Sequence, residues 1–314
     1  MSPAAAVVML SILFPTKGWF GADQPWTIAV RPPGGQAVAL VMTDFAGSSL
    51  DPAPGVAREF AAEGVADLRT LFPAMRTAGT YLLYAVPKDE VGPAHFVGTP
   101  LVVSVREDRR RGAPPGPMVV KVDPLRYAIV ETDHGDMTIA FYLDVAPVTV
   151  DNFARLAGEK FYDGLTFHRV DPDFVVQAGD PRGDGSGGPG YTIDAEFSDR
   201  KHDVGVVSMA RNVDPNEAPN NPPRPEFANS AGSQFFVCLD AKTAGNLNGS
   251  YTVFGKVVGP AGLKTLKAIG ATPVADKKTG RPEKPPVILR VEVRPVTAKE
   301  NPYRVLLAPT RERE

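Results

Sequence analysis

The sequence predicts a mainly β protein built as two domains. Three observations predict it. Proline (32) and glycine (30) are abundant, which favours turns between short strands over long helices. Apolar residues alternate with polar ones in successive short runs, the period of a half-buried strand. Between two groups of such runs, Arg109-Arg110-Arg111 is followed by Gly112-Ala113-Pro114-Pro115-Gly116-Pro117, a stretch that resists packing. The expected division is a β-sandwich domain at 1–107, a linker at 108–122, a second β-rich domain at 123–296 and a polar tail at 297–314.

In the first domain, residues 4–14 form an apolar run in which Val8, Leu10, Ile12 and Phe14 fall on one face at period two. That suits a first strand better than a signal peptide, because no cation precedes Lys17. Residues 26–30, 37–42, 79–86 and 99–105 read as further strands, with Pro32-Pro33-Gly34-Gly35 breaking the chain after the first of these. Residues 56–72 hold a short helix or an irregular crossover. Short strands with turn signals at this spacing suggest a small immunoglobulin-like sandwich. This likeness of architecture says nothing about function.

In the second domain, residues 127–131 and 137–141 flank Asp133-His134-Gly135-Asp136, a hairpin with a glycine turn. Pro147 introduces a helix in which Val150, Phe153, Ala154 and Ala157 share one face, with Gly158 as its stop. A second helix is predicted over 261–269 and a last strand over 287–293.

Composition excludes several roles. Apolar content of 43% and charged content of 22% are those of a soluble globular chain. A net charge of -2 leaves no basic surplus to neutralise phosphates, so no nucleic-acid partner is expected. No segment reaches the roughly 18 apolar residues of a membrane span. The single cysteine, Cys238, lies in an apolar run and reads as a buried thiol. His95, His134 and His202 lack metal-ligand spacing. The compartment, cytoplasm or cell envelope, stays open.

The run Phe167-His168-Arg169-Val170, with Phe174 and Gln177 close behind, places one fixed cation beside an aromatic ring and an amide. Taken alone, an arginine in a strand is a surface charge, and Phe174 or Phe236 is a core aromatic. Together they suit rotation about an X-Pro bond. That bond resists rotation because the nitrogen lone pair is delocalised into the carbonyl. A donor aimed at the localised lone pair, in an apolar slot, favours the twisted state. Arginine fits because it is always charged and cannot act as a base.

Five blocks in order resemble the cyclophilins. They are Tyr162-Asp163-Gly164-Leu165-Thr166-Phe167-His168-Arg169-Val170 with Phe174-Val175-Val176-Gln177-Ala178-Gly179-Asp180; Asp184-Gly185-Ser186-Gly187-Gly188-Pro189-Gly190; Val207-Ser208-Met209-Ala210; Gly232-Ser233-Gln234-Phe235-Phe236; and Leu247-Asn248-Gly249-Ser250-Tyr251-Thr252-Val253-Phe254-Gly255. The resemblance covers about residues 127–293. It implies a closed eight-stranded antiparallel barrel capped by two helices, and peptidyl-prolyl cis-trans isomerase activity on proline-containing peptides and unfolded proteins. It also implies roles. Arg169 would be the catalytic donor, held by Gln177, with Phe174, Val175, Phe236 and Leu247 walling the proline pocket and Tyr251 at its edge. Gln234, His168 and the backbone of Ala210, Arg211 and Asn212 would bind the peptide, and Gly185 would line an adjoining pocket. His168 alone reads as structural. No metal or organic cofactor is implied, since no bond is made or broken. The alternatives are a proline-peptide binding module or a chaperone with little turnover, with the first domain docking a protein partner.

Three departures stand out. The pocket tryptophan of many eukaryotic cyclophilins appears here as Asn246, or is displaced within Ala244-Gly245-Asn246, and Tyr251 stands where a histidine is common. An insertion at 213–228 carries five prolines, which suggest an extended loop acting as a tolerated excursion or as a specificity lid. The first two departures resemble bacterial members and predict weak cyclosporin binding. Nanomolar affinity in a cyclosporin titration would contradict that reading.

Overall fold

Alternation of apolar residues draws two antiparallel sheets around one core in the first third of the chain. The computed structural model describes residues 12–21, 24–34, 36–76, 78–90, 93–107, 118–218 and 223–304. The chain divides into two units, Met1–Arg126 with Pro295–Glu314, and Tyr127–Arg294.

In the first unit, Leu13–Pro15, Thr27–Val30 and Gly64–Asp67 form a three-stranded sheet in that order. The larger sheet runs Trp19–Phe20, Met118–Pro124, Val97–Glu107, Gly79–Pro87, Val38–Asp44 and Ser49–Leu50, with Glu59–Phe60 also pairing Val38–Asp44. Leu13, Ile28 and Val30 from the first sheet meet Leu40, Met42, Leu83 and Val103 from the second in one buried cluster. The crossover at 56–72 resolves into two short strands and the single helical turn Leu68–Leu71. Asp67 caps that turn, its carboxylate accepting from the backbone of Arg69 at 3.1 Å and of Trp26 at 3.0 Å.

Two expectations change here. The linker expected at 108–122 gives way to a strand: Met118–Pro124 pairs along Val97–Glu107 over seven residue pairs. Residues 108–117, including the three arginines, lie outside the described residues. The tail expected at 297–314 is not simply polar. Tyr303 is fully buried. Tyr303 meets the Phe45 ring edge-on at 6.3 Å and donates its hydroxyl to the carbonyl of Arg126 at 2.7 Å. Residues 1–11 and 305–314 lie outside the described residues. Most of the apolar run 4–14 is among them, and its end pairs as the strand Leu13–Pro15.

The second unit is an eight-stranded sheet in the order Arg169–Val170, Val175–Ala178, Phe235–Cys238, Val206–Met209, Val253–Val258, Gly135–Phe141, Arg126–Thr132, Ile288–Pro295. The expected closed barrel is corrected to an open curled sheet. Its two edge strands form no ladder with each other; the segments flanking them are joined by the isolated bridge Thr166 to Val287 and by bonds from the N–H groups of Gly164 to Ile288 (2.8 Å), Ile288 to Leu165 (2.8 Å) and Phe167 to Pro286 (2.9 Å). The reason is local. The strand Arg169–Val170 has two residues, and the Val170 N–H donates to Gly280 at 2.7 Å instead of to the last strand.

The helices Pro147–Gly158 and Pro260–Gly270 begin with proline, whose missing N–H costs nothing in a first turn. The first is also capped from a distance, since Glu196 accepts from the N–H groups of Val148 (3.1 Å) and Thr149 (2.8 Å). It buries Phe153 against Tyr162, Phe235 and Phe254, with ring centres 4.9–5.6 Å apart. No helix among the described residues is long and apolar enough to cross a membrane.

Replacing Tyr303 by alanine removes a buried ring and its hydrogen bond to the Arg126 carbonyl. The expected cost is about 3–5 kcal/mol, as for other buried aromatics cut to alanine. Calorimetry would read it as a lower unfolding midpoint for the first unit, and an unchanged midpoint would rule out structural anchoring by this residue.

Candidate active site

The pleat of four neighbouring strands sorts their side chains into two rows on opposite faces. Val170, Val176, Val237 and Val207 are successive cross-strand partners. All four are buried in the core. The adjacent row is Arg169, Gln177, Phe236 and Ser208, again successive partners. The packing that drives the valines inward therefore aims the second row at the opposite face.

Arg169 ends that row. Its guanidinium carbon lies 5.8 Å from the Phe174 ring centre. Nη2 is 3.5 Å from the Asp171 carboxylate, and the side chain is 37% exposed. Arg169, Phe174, Val175, Gln177, Phe236, Leu247 and Tyr251 line one cavity of about 110 Å³, together with Ala210, Arg211 and Val213. Phe236 meets Tyr251 edge-on at 5.6 Å. Burial raises the Tyr251 pKa, so the ring enters the pocket as a neutral phenol.

Gln177 faces Arg169 in register, but its amide N–H donates to Oε1 of Gln234 at 2.9 Å. Gln234 in turn donates to the carbonyls of Gly185 (2.9 Å) and Gly187 (2.8 Å). These three residues belong to a second cavity, of about 410 Å³, bounded also by Tyr191, Ala210, Arg211, Asn212 and Ser230. A chain of amides thus ties the floor of one cavity to the wall of the next. The N–H of Ala210 is engaged by the Gln234 carbonyl (2.9 Å), and that of Asn212 by the Ser230 hydroxyl (2.8 Å). His168 is buried and lines neither cavity. Burial lowers its pKa, so its ring is neutral at pH 7.

Sequence reasoning gave no role to three supports. Asp180 is buried and gathers the N–H groups of Arg182 (2.8 Å), Asp184 (3.2 Å) and Gly185 (2.6 Å), holding the glycine loop closed. Its position just before Pro181-Arg182-Gly183 is a turn signal that points to this. Gly179 is needed beside it: its φ is +87°, and a Cβ there would fall 2.3 Å from the Ser233 carbonyl. His202 is the second support. It stacks on Phe236 with ring centres 6.0 Å apart. Asn248 Oδ1 lies 3.1 Å from its Nδ1, and Ser208 Oγ lies 2.9 Å from its Nε2. An amide oxygen only accepts, so Nδ1 carries the proton and Nε2 accepts from the serine. Burial lowers the His202 pKa, which keeps this neutral tautomer at pH 7.

Val213 is the third. It belongs to the insertion, which is folded where the sequence suggested an extended loop. Buried Asp214 accepts from Arg224 Nε (3.0 Å), Nη2 (2.9 Å) and backbone N (2.9 Å). Residues 219–222 of the insertion lie outside the described residues. Its only sequence signal is an aliphatic residue directly after Asn212 in an otherwise polar, proline-rich stretch.

Comparison with known proteins bears on this geometry. Residues 127–293 match the family described as cyclophilin type peptidyl-prolyl cis-trans isomerase/CLD. A peptidyl-prolyl cis-trans isomerase of Synechococcus elongatus is 40% identical over 142 residues, covering 45% of this chain and 87% of that protein. Peptidyl-prolyl cis-trans isomerase B of Bacillus subtilis is 43% identical over 143 residues, with the same two coverages of 45% and 87%. A crystal structure of a Cryptosporidium parvum cyclophilin type peptidyl-prolyl cis-trans isomerase, with the dipeptide ala-pro present, aligns with a TM-score of 0.46 at 27% identity. It covers 54% of this chain and 99% of that one.

Burial alone would raise the Asp180 pKa, but the N–H donors of Arg182, Gly187 and Gly185 outweigh it, and the pKa lies below its ordinary 3.8. A carboxylate depressed by folding stabilises fully above its unfolded pKa and loses that stability as pH falls through the folded one. The glycine loop should therefore hold from neutral pH down to about pH 4 and loosen below. Asp180→Asn should remove this acid limb from the stability profile. An identical limb in the variant would exclude Asp180 as its origin.

Proposed function

The chain belongs to the cyclophilin-type peptidyl-prolyl cis-trans isomerases, and from that premise we propose that Arg169 drives the rotation of X-Pro bonds bound across the two cavities. The enzyme is a peptidyl-prolyl cis-trans isomerase whose substrates are proline-containing peptides. In this reading the proline ring enters the smaller cavity, between Phe174, Phe236 and Leu247. As the bond twists, conjugation is lost and the lone pair localises on the imide nitrogen. An N–H of Arg169 donates to that lone pair and stabilises the twisted state over both planar ones. The apolar walls exclude water, which strengthens the interaction. No proton changes owner, which suits a guanidinium that never deprotonates.

The observation that carries this reading is the row Arg169, Gln177, Phe236. It puts a cation, an amide and an aromatic floor at one cavity by strand register alone. Gln177 is read as a positioning residue that works through Gln234, since its amide reaches that side chain. The larger cavity takes the residues on one side of the proline, against Gly185, Ala210 and Asn212. His168 acts in this reading from behind the site, by packing.

The first unit is assigned an accessory role, holding a protein partner or an unfolded chain. In this reading the unit is a small immunoglobulin-like sandwich of two antiparallel sheets. One sheet pairs Leu13–Pro15, Thr27–Val30 and Gly64–Asp67, and in the other Gly79–Pro87 lies between Val38–Asp44 and Val97–Glu107.

Arg169→Ala should lower kcat/KM in a proline-peptide exchange assay at least about tenfold, the loss of only about 1.4 kcal/mol of transition-state stabilisation. Wild-type rates in that variant would refute the assignment. Peptide binding without rate enhancement by the unmutated protein would favour the binding-module alternative.

A further inference from the structure

Val213 is 70% exposed, yet it belongs to the lining of the smaller cavity. An isolated exposed valine is ordinary. This one lies between two residues pinned in ion pairs, Arg211 two positions before it and Asp214 directly after it. Before it, the Arg211 side chain is 2% exposed and paired to Glu217. Its Nη2 lies 2.7 and 2.8 Å from the two Glu217 oxygens, and its Nε donates to the Ser250 carbonyl at 2.8 Å. The guanidinium also lies 4.3 Å from the Tyr251 ring centre. After it, Asp214 is closed on Arg224, and the Glu217 N–H donates to the Asp214 carbonyl at 3.1 Å. The two clusters are thus linked through Glu217, and the backbone between them is fixed. Its one outward apolar side chain stands at the mouth of the proline cavity.

Building on the isomerase reading, we propose that Val213 is a specificity-determining residue that selects substrates with an apolar side chain directly next to the proline. A preformed wall loses little freedom on binding, so its contact is retained in affinity. The flanking side chain would cover the exposed valine and be covered by it, while a small polar or acidic one would gain nothing from the contact. The segment 211–217 is then the frame that holds the valine, with Arg211 and Asp214 as its two clamps.

The test compares kcat/KM for peptides carrying leucine or serine on either side of the proline. The unmutated protein should prefer leucine at one of the two positions. Val213→Ser should cut that preference about fivefold, the scale of one partly buried aliphatic contact. Val213→Ile should keep it. Glu217→Gln, which touches no substrate, should weaken it by loosening the frame. The same preference read from peptide affinities serves if turnover is too slow to measure. An unaltered preference in Val213→Ser overturns the role of Val213 and leaves the isomerase reading intact. Wild-type rates in Arg169→Ala would count against the mechanism and leave the Val213 result readable.

Discussion

The alternation of faces along paired strands is the constraint on which the site depends. Four valines in cross-strand sequence, Val170, Val176, Val237 and Val207, are buried. Their neighbours in the same strands then have no choice of direction. A slip of one residue at Val175–Ala178 would send Gln177 into the core and Val176 into the groove. The hydrophobic core thereby does the positioning that catalysis requires, and the polar residues need only be of the right type. Behind them, Phe236 is steadied by His202, whose neutral ring is oriented by Asn248 and Ser208.

The larger cavity is organised differently, by polar groups instead of packing. Asp180 collects backbone N–H groups from the loop that follows it. Gln234 holds the same loop from the other side through two carbonyls. The loop is clamped at both its donor and its acceptor groups, which fixes a glycine-rich segment that would otherwise carry large conformational entropy.

Much of this was legible in the sequence because the signals were local. Alternation located the strands 79–86 and 99–105, and a proline ahead of an apolar periodicity located the first helix. The five motif blocks located the pocket residues, because each block is a strand or a turn that brings its side chains with it. What was not legible depended on distant partners. The insertion read as extended because prolines dominate it, whereas its shape comes from an ion pair ten residues apart, Asp214 with Arg224. Tyr303 sits in a polar context, and only the groove beside Phe45 gives it a buried place. Met118–Pro124 alternates well, but the preceding Pro/Gly run masked its start. Gln177 was expected to hold Arg169, and no spacing rule foretells that its amide turns to Gln234. The sheet was expected to close, and no periodicity foretells that its first strand is only two residues long, with the Val170 N–H taken by Gly280.

Cys238 ends the strand that carries Phe236 and is fully buried. Burial pushes its thiol up to about 12, so almost none is thiolate at neutral pH. Thiolate is the nucleophile that attacks peroxides and disulfides. Burial therefore leaves the strand beneath the proline site with a thiol that is a poor nucleophile toward oxidants.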